Sequence, residues 1–588
     1  MIKIISVILT TVMTFASAYF SFLPESIDSA VSAVFGVPLF QNSVSEGFLG
    51  DIDDSDVVAL NEGQGYCKNL IVVFLNENVS LFEKYRLFRD EPMVLLGWSC
   101  PADLYVAYYN GKDLNALVSY CDKLTASREE VSYASPVTAS KKSPDYTPDD
   151  PFCGTGEISR TNWNEPIPTE RNWWLEAIDA RQAWDYDRYM NDINVGVIDC
   201  GVNLNHEDLK DKTIKFPSSR QEKRNIPDDH GCHVTGIIGA QADNGKGIAG
   251  VVRKCEFTYV DWQPEKDKQK WNTDIHIFFG FIDAVKAGAK VINLSLGATG
   301  NIEENESEMD FYVPFEENLY SALISVLLGH GYDFVICQSA GNGNDASQPV
   351  DAKYNGTFTG ITKKNALSLR IGVSRQDIVD RIIVVSSAAN RGGGEYIQSS
   401  FSNIGKQISV SAPGSSVYSC SDIDDEYCYM SGTSMASPVV AGVAALVWSV
   451  NPDFTGAQVK AIVCSPENSN ATVPPIEEEY RDFPDLDYIE YPMVNANLSV
   501  QAALMKTYDM GKVEGDVSLF AEHIESVTLI QNGETSTYTV IGNNTFNFAA
   551  PAGEAEIAAY GDDGTLLGST TVTIVKDACV NVEIKPAA

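Results

Sequence analysis

Positively charged residues are scarce in this chain of 588 residues, which has 42 Lys and Arg against 80 Asp and Glu and a formal net charge of −38. Nucleic-acid binding needs a basic surface, so this composition argues against a nucleic-acid partner. Long apolar runs are also scarce. Beyond the N-terminus, no segment reaches the ~20 apolar residues of a membrane-spanning helix, so we expect no integral membrane segment.

The N-terminus, "MIKIISVILTTVMTFASAYF", places one lysine before a short apolar run that ends in small residues at Ala16-Ser17-Ala18. This pattern predicts a signal peptide over residues 1–18 and a secreted protein. In a secreted chain, the 12 cysteines permit disulfides. Cys420 and Cys428 bracket an acidic, turn-like stretch and are the most local candidates for a bond.

The N-terminal part of the chain divides by composition. Residues 19–66 are acidic and poorly patterned, which is typical of a leader or linker. Residues 67–137 predict a small α+β unit, with strands at "NLIVVFL" and "DLYVAYY", a helix at "LNALVSYCDKL" and a closing strand at "EEVSYASP". Residues 138–169, rich in proline, predict a linker and the start of the next domain.

The rest of the chain has two different sequence patterns. Over residues 170–508, short apolar strands alternate with segments of helix length, which predicts an α/β domain with a mostly parallel sheet and helices on both faces. Its longest apolar helix should be the buried run that begins near Ser434 in "GTSMASPVVAGVAAL". Over residues 509–588, alternating strands and Gly-rich turns predict a small β-sandwich.

Four reactive side chains stand at separate positions, mostly at strand ends, in the α/β region. Asp199 follows the strand "INVGVI", Asn342 follows "DFVICQSAG", His230 begins a helical run and Ser434 begins the apolar helix. Ligands bind at the carboxyl ends of strands in open α/β sheets. A carboxylate, an imidazole, an amide and a hydroxyl at such an edge suit acyl transfer.

Three motifs carry a family resemblance. "VIDCGVNLNHEDL", "HGCHVTGIIGA" and "GTSMASPVVAGVAAL" resemble, in this order, the aspartate, histidine and serine motifs of the subtilisin-like serine proteases, or subtilases. "VINLSLG" is similar to the substrate-binding strand of that family, and "SAGN" to its oxyanion segment. The resemblance covers roughly residues 165–505.

The resemblance implies a secreted serine endopeptidase that acts on protein or peptide substrates through an acyl-enzyme. In this reading Ser434 is the nucleophile, His230 the general base and Asp199 the residue that orients it. Asn342 and the Ser434 N–H would form the oxyanion hole. Ser295, Leu296 and Gly297 would pair with substrate as an added strand.

The resemblance extends to the flanking regions. Residues 67–137 resemble the subtilase propeptide, an intramolecular chaperone and inhibitor whose closing strand, here "VSYASPV", enters the active site. It implies a zymogen, and we expect autocatalytic cleavage between about Tyr133 and Asp150. The C-terminal region resembles β-sandwich modules that are appended to secreted enzymes.

The sequence departs from the family pattern at two cysteines, Cys200 and Cys232, which replace hydroxyl residues beside Asp199 and His230. They are either two buried free thiols or a mutual disulfide. Asp208 stands where a family calcium ligand can occur, but a single aspartate is thin support. We therefore assign no cofactor and no metal.

Two other functions compete with the protease. Metal-competent groups are close together in the sequence and would allow a metallohydrolase: Asp199, Cys200, His206, His230, Cys232 and His233. Alternatively, the scaffold could be a catalytically inactive binding protein. A further segment, "NIEENESEMDFYVPFEENLY", follows the substrate strand and predicts an acidic loop, which either favours Lys or Arg near the scissile bond or is simply solvated.

Overall fold

The computed structural model describes residues 47–48, 57–59, 64–77, 79–99, 103–141, 173–218, 222, 225–242, 244, 246–262, 271–297, 306–343, 348–392, 394–476, 488–520, 524, 526–540, 544–560 and 565–586. The predicted signal peptide and most of the predicted leader and linker lie outside these residues.

An α+β unit precedes the main domain, as expected. Its elements are β1 (Gly47–Phe48), β2 (Val57–Ala59), β3 (Gln64–Leu75), α1 (Leu81–Asp90), β4 (Met93–Ser99), β5 (Leu104–Tyr109), α2 (Leu114–Ser127) and β6 (Val131–Lys141). The strands form an antiparallel sheet in the order β1-β4-β5-β3-β6, with β2 paired to β3. The pattern did not predict α1, which Ser80 and Glu83 cap by reciprocal hydrogen bonds.

The central domain contains a predominantly parallel sheet with helices on both faces. Its elements up to the middle of the sheet are α3 (Trp173–Glu176), α4 (Ala180–Trp184), β7 (Ile193–Asp199), β8 (Ile214–Lys215), α5 (Asp229–Gly239), β9 (Cys255–Asp261), β10 (Trp271–Thr273), α6 (Asp274–Lys286), β11 (Val291–Leu294), α7 (Glu306–Gly329) and β12 (Val335–Ser339). It continues with α8 (Arg375–Val379), β13 (Ile382–Gly392), β14 (Glu395–Gln398), β15 (Val410–Pro413), β16 (Val417–Cys420), β17 (Tyr427–Met430), α9 (Thr433–Val450), α10 (Gly456–Val463), β18 (Thr472–Val473), β19 (Tyr491–Pro492) and α11 (Ala496–Thr507).

The order of the main sheet decides which side chains meet. It runs β14-β13-β12-β11-β7-β9-β8, with β15 paired to β13, and only β14 is antiparallel to its neighbour. The central strands β12, β11 and β7 are short, apolar and buried, as both faces of the sheet are covered. Because these strands are parallel, their carboxyl ends lie along one edge.

Helix α9 is the core of the domain. Every residue of it except Ser434 is buried. Among the described residues it is the one helix long and apolar enough to cross a membrane, but 94% of that window is buried inside the protein. Its apolar length therefore reflects a position in the protein core.

The C-terminal region forms two small sheets, as predicted. Its strands are β20 (Met510–Asp516), β21 (Ser526–Gln531), β22 (Glu534–Thr539), β23 (Thr545–Pro551), β24 (Gly553–Tyr560), β25 (Leu566–Ile574) and β26 (Cys579–Glu583). The sheets run β23-β20-β26 and β22-β21-β24-β25. One apolar core continues from the central domain into them. Backbone N–H groups also bond across, from Ala549 to the Tyr186 hydroxyl and from Thr539 to the Asp185 carboxylate. The sandwich is thus packed onto the central domain.

The predicted acidic loop is partly wrong. The segment from Glu306 onward is the start of α7, which runs to Gly329. Glu317, near the middle of this helix, is buried and accepts a hydrogen bond from Asn365. At least this carboxylate belongs to the packed interior.

Candidate active site

Asp199 and His230 are brought together by the close approach of α5 to the end of β7. Gly201 forms a bridge with Pro227, and the Asp228 N–H donates to the Gly201 carbonyl at 3.1 Å. A Cβ at Gly231 would lie only 2.3 Å from the Cys200 carbonyl oxygen. The glycine after His230 is therefore required by this contact, which explains the "HG" pair at the start of the helix.

The two side chains are directly hydrogen-bonded. His230 Nδ1 lies 2.7 Å from Asp199 Oδ1, which also accepts the Cys200 N–H at 2.7 Å. Asp199 is 1% exposed, and 20% of the His230 side chain is exposed. A buried carboxylate beside Nδ1 favours the tautomer with the proton on Nδ1. The exposed side of the ring then presents Nε2 as a proton acceptor.

Ser434 lies in the first turn of α9 and is the one residue of that helix that reaches a partly exposed surface. Its Oγ lies 3.4 Å from the Ser295 carbonyl oxygen. In the sheet, Leu294 pairs with Ile198, so Ser295 and Asp199 follow on adjacent parallel strands, which lie about 4.8 Å apart. The serine and the Asp–His pair therefore share one edge of the sheet.

A proline explains how the start of α9 is tied to this edge. Pro438 has no N–H, so it cannot bond to the Ser434 carbonyl four residues earlier. The Ser295 hydroxyl donates to that carbonyl at 2.7 Å instead. Asn293 donates to the same hydroxyl at 3.0 Å and accepts from Ser437 at 2.8 Å. These bonds fix Ser434 relative to the end of β11.

Asn342 points its amide group toward the same place. Its Oδ1 accepts both the backbone N–H and the hydroxyl of Thr433, each at 2.8 Å, which orients Nδ2 away from the helix. A Cβ placed on Gly432 would lie 3.2 Å from Asn342 Nδ2 and 3.6 Å from the Ser434 nitrogen. Two donor nitrogens thus flank one point beside the serine, and glycine at 432 leaves that point open.

The residues predicted to bind substrate extend from the end of β11. The Leu296 carbonyl is already used inside the domain, since it accepts hydrogen bonds from the side chains of Gln338 and Ser339. Ser295 and Gly297 flank it. A Cβ on Gly297 would lie 2.2 Å from the Asn355 side chain, so glycine is needed there.

Sequence reasoning missed a short strand of the central domain that pairs with the N-terminal unit. β10 pairs antiparallel with the end of β6, in the register Trp271 with Lys141, Asn272 with Ser140 and Thr273 with Ala139. The N-terminal unit thus pairs its closing strand with a strand of the central domain, and that closing strand extends four residues beyond the predicted boundary at Val137. A three-residue strand has too weak a local pattern to be found in the sequence.

Both suggested disulfides are absent, since no S–S bond joins any of the four cysteines. In the β16–β17 hairpin, Cys420 lies opposite Tyr427 and Cys428 opposite Ser419, so the two cysteines point to opposite faces of the ribbon. The Cys232 thiol is turned toward the next loop, where its sulfur accepts the Asn203 N–H at 3.1 Å. Burial raises the pKa of Cys232 to about 12, so it stays a thiol.

Asp208 does not fit a calcium ion. Its Oδ1 accepts from Asn244 at 2.7 Å, and its Oδ2 accepts the Ile248 N–H and the Tyr427 hydroxyl, each at 2.8 Å. A cation would have to displace three donors that already satisfy this buried carboxylate.

The metal-competent residues do not form one site. Within the described part of the chain, only Asp199, Cys200 and His230 come together. His233 is buried between the carbonyls of Val417 and Cys428, and burial lowers its pKa to about 3. It is a neutral structural histidine.

Comparisons with known proteins identify similar sequences and a similar fold. A family model described as the subtilase family matches residues 190–476. Thermitase of Thermoactinomyces vulgaris is 30% identical over 290 residues, which cover 49% of this chain and 85% of thermitase. A thermophilic serine proteinase of Bacillus sp. (strain AK1) is 30% identical over 270 residues, which cover 45% of this chain and 55% of that protein. The chain therefore spans about half the length of the latter relative.

A solved structure matches most of the chain. Fervidolysin from Fervidobacterium pennivorans, described as a keratinolytic enzyme related to subtilisin, aligns with 92% of this chain and 81% of its own, at a TM-score of 0.52 and 18% identity. At that identity, the match concerns the fold alone.

Proposed function

The chain belongs to the subtilase family of serine peptidases, and on that premise we propose that it is a secreted endopeptidase that uses Ser434, His230 and Asp199 to hydrolyse peptide bonds. The observation that carries the proposal is the 2.7 Å hydrogen bond between His230 Nδ1 and Asp199, on the sheet edge where Ser434 begins its helix. A peptidase needs these three groups at one edge and in this order of contact.

The chemistry follows from the orientation of each group. Ser434 Oγ attacks the carbonyl carbon of the scissile bond while His230 Nε2 accepts its proton. His230 returns that proton to the leaving amine, which gives an acyl-enzyme. Water then attacks the ester by the same route in reverse. Asp199 holds the imidazole in the required tautomer and stabilises the imidazolium that forms in both steps.

The negative charge of each tetrahedral intermediate needs donors. Asn342 Nδ2 and the Ser434 N–H flank the open point left by Gly432 and are suited to this role. The partial positive charge at the N-terminus of α9 favours an anion at the same point. Loss of one such donor typically costs about 10²–10³ in kcat.

Substrate would bind as an added strand beside Ser295 and Gly297, with β10 as the second edge. The pairing of residues 139–141 with β10 supports this mode, because it is an extended segment of the same chain already in antiparallel register there. The inward Leu296 carbonyl leaves Ser295 and Gly297 as the residues whose backbone would face substrate.

The N-terminal unit would act as an inhibitory propeptide. Its strand β6 continues to Lys141 on an edge of the central domain, and the proline-rich segment that follows is the proposed cleavage region. Because residues 139–141 are still in the ladder, we expect the first cut after Lys141, within the range up to Asp150. The N-terminus of the chain supports secretion, because its lysine, its apolar run and its small residues have the pattern of a signal peptide.

Two alternatives make different predictions. An inactive binding protein would not need the open, donor-flanked point beside Ser434. A metallohydrolase would bind its metal at Asp199, Cys200 and His230, the three metal-competent residues that come together among those described, and would lose its activity to a chelator. Phenylmethylsulfonyl fluoride should abolish peptidase activity and label Ser434 in a mass-mapped digest, while a chelator should have no such effect. Inhibition by the chelator alone would overturn the proposal.

A further inference from the structure

Cys200 lies next to the Asp–His pair, but the proposed mechanism gives it no task. Asp199, Cys200 and His230 each offer one ligand atom, and these three atoms all lie within 4.8 Å of one another. Cys200 is buried, at 4% exposure, and His230 is partly open to solvent. A sulfur, an imidazole nitrogen and a carboxylate oxygen therefore lie close together, and the histidine among them is partly exposed to solvent.

Asp199 adds a second, independent observation. Its Oδ1 has two partners, but its Oδ2 is buried and accepts no hydrogen bond from any described residue. A buried carboxylate oxygen without a donor is unfavourable, because it has lost its hydration without compensation. A cation bound at this oxygen would remove the cost.

We propose that Asp199, Cys200 and His230 form an inhibitory site for a thiophilic divalent cation, with Zn²⁺ as the type case. Zinc takes thiolate, imidazole and carboxylate ligands at about 2.0–2.3 Å and prefers tetrahedral geometry, which places ligand atoms roughly 3.3–3.8 Å apart. The three ligand atoms, which lie within 4.8 Å of one another, would have to move closer by up to about 1.5 Å to reach that spacing, and water would fill the fourth position. Hard cations such as Ca²⁺ and Mg²⁺ prefer all-oxygen sites and should not compete.

Binding involves a balanced exchange of ions. The Cys200 thiol releases one proton to solvent as its sulfur bonds to the cation, and no electron is transferred. His230 binds the cation either through the lone pair of Nε2 or through Nδ1, whose proton then moves to Nε2 as its hydrogen bond to Asp199 breaks. In either case the imidazole can no longer accept the proton of Ser434, so the peptidase is switched off. This inhibition depends on the proposed function, whereas the binding of the cation does not.

Zinc binding can be tested without measuring peptidase activity. Zinc sulfate would be titrated calorimetrically into the full chain carrying Ser434→Ala, which avoids autolysis, and into the same protein with Cys200→Ser added. One Zn²⁺ should bind with release of a proton. Cys200→Ser should weaken that site by at least the roughly 10- to 100-fold that loss of even an outer-shell partner costs. Cobalt should give a thiolate charge-transfer band that Cys200→Ser removes.

Cys232→Ser is the matched control, since Cys232 is a buried cysteine two residues from His230 that lies outside the cluster. It should leave the zinc affinity unchanged. Equal loss of affinity in both variants, or zinc affinity that survives Cys200→Ser, would overturn the site.

Measurements of peptidase activity then distinguish the proposed function from the proposed zinc site. Micromolar Zn²⁺ should inhibit the matured enzyme reversibly, and Cys200→Ser should need at least about tenfold more zinc, relative to its own metal-free rate. Zinc binding at Cys200 in a protein without peptidase activity would contradict the proposed function alone. An active peptidase whose inhibition by zinc is the same with and without Cys200 would contradict the site alone.

Discussion

Arg370 of the central domain donates a hydrogen bond to Asp103 of the N-terminal unit at 2.8 Å, with none of the Arg370 side chain exposed. The same guanidinium donates to the Leu75 carbonyl at 3.1 Å. His330 Nε2 and Lys84 Nζ lie 3.0 and 3.6 Å from the Asp103 carboxylate. Burial alone would raise the pKa of Asp103, but contacts with His330, Lys84 and Arg370 outweigh it and hold that pKa below its ordinary value.

This contact ties the N-terminal unit to the domain that it is proposed to inhibit, at a second place besides β10. Asp103→Asn removes the charge while keeping a residue that tolerates the left-handed backbone there, where φ is 45°. The loss of charge assistance should cost about 1–2 kcal/mol of docking, or roughly 5- to 30-fold in affinity. The cleaved unit should therefore leave sooner.

The quantity to measure is the lag between cleavage of the N-terminal unit and the full rate of hydrolysis of a fluorogenic peptide, followed while the enzyme matures. Asp103→Asn should shorten it. Asp122→Asn, which alters an exposed carboxylate on α2 of the same unit, should leave it unchanged. A lag that is equal in all three proteins would mean that the Arg370 contact does not govern release.

The proposed role of Asn342 in the oxyanion hole can be tested by a substitution that keeps its hydrogen bonds to Thr433. Asn342→Asp keeps an oxygen for the Thr433 N–H and hydroxyl but replaces the Nδ2 donor with a second oxygen. We expect kcat for a peptide substrate to fall by about 10²–10³ with little change in KM. A fall in kcat of less than about tenfold would remove Asn342 from the oxyanion hole.

The buried Glu317 carboxyl should make the free energy of unfolding depend on pH. Burial raises its pKa from 4.5 to about 7, against the hydrogen bond from Asn365 and the charge of Lys353, which lower it. The folded state therefore holds a proton that the unfolded state has lost between pH 4.5 and 7. The stability that this proton contributes is complete below pH 4.5 and is lost as the pH rises to 7.

Glu317→Gln keeps the shape but has no proton to lose. It should match the parent protein at pH 4 and be more stable at pH 8 by on the order of 3 kcal/mol, since each unit of pKa shift corresponds to about 1.4 kcal/mol. Thermal unfolding of Ser434→Ala proteins at both pH values measures the difference. Exposed Glu554→Gln is the control. A gain for Glu317→Gln that is the same at pH 4 and pH 8 would rule this explanation out.

The sequence predicted the places of the candidate site residues in the strands and helices better than it predicted the contacts around them. Asp199, His230 and Ser434 stand in extended motifs with a strand or a helix on one side, so their positions at element ends could be read locally. The cysteine pair at 420 and 428 shows the opposite case. Its geometry depends on hairpin register, and a shift of one residue reverses the face on which a side chain lies.

Contacts between distant segments left no pattern to find. The Asp208 carboxylate is satisfied by Tyr427, which is far away in the chain. Arg370 meets Asp103 across 267 residues. Such pairs form because the fold places them together. In the sequence, neither partner can be told apart from an ordinary surface residue. Strand β10 has only three residues, so it can be identified as a strand only in the structure, where it pairs with β6.

The most direct test of the central claim is hydrolysis of casein by the full chain and by Ser434→Ala, matched with Ser449→Ala. Ser449 is a buried serine near the other end of the same helix, and its hydroxyl donates to the Leu446 carbonyl. Wild type and Ser449→Ala should cleave themselves between Lys141 and Asp150 and digest casein. Ser434→Ala should stay an uncleaved precursor, keep its fold by circular dichroism and show turnover near background. A folded Ser434→Ala protein that cleaves casein at the wild-type rate would contradict the assignment of Ser434 as the nucleophile.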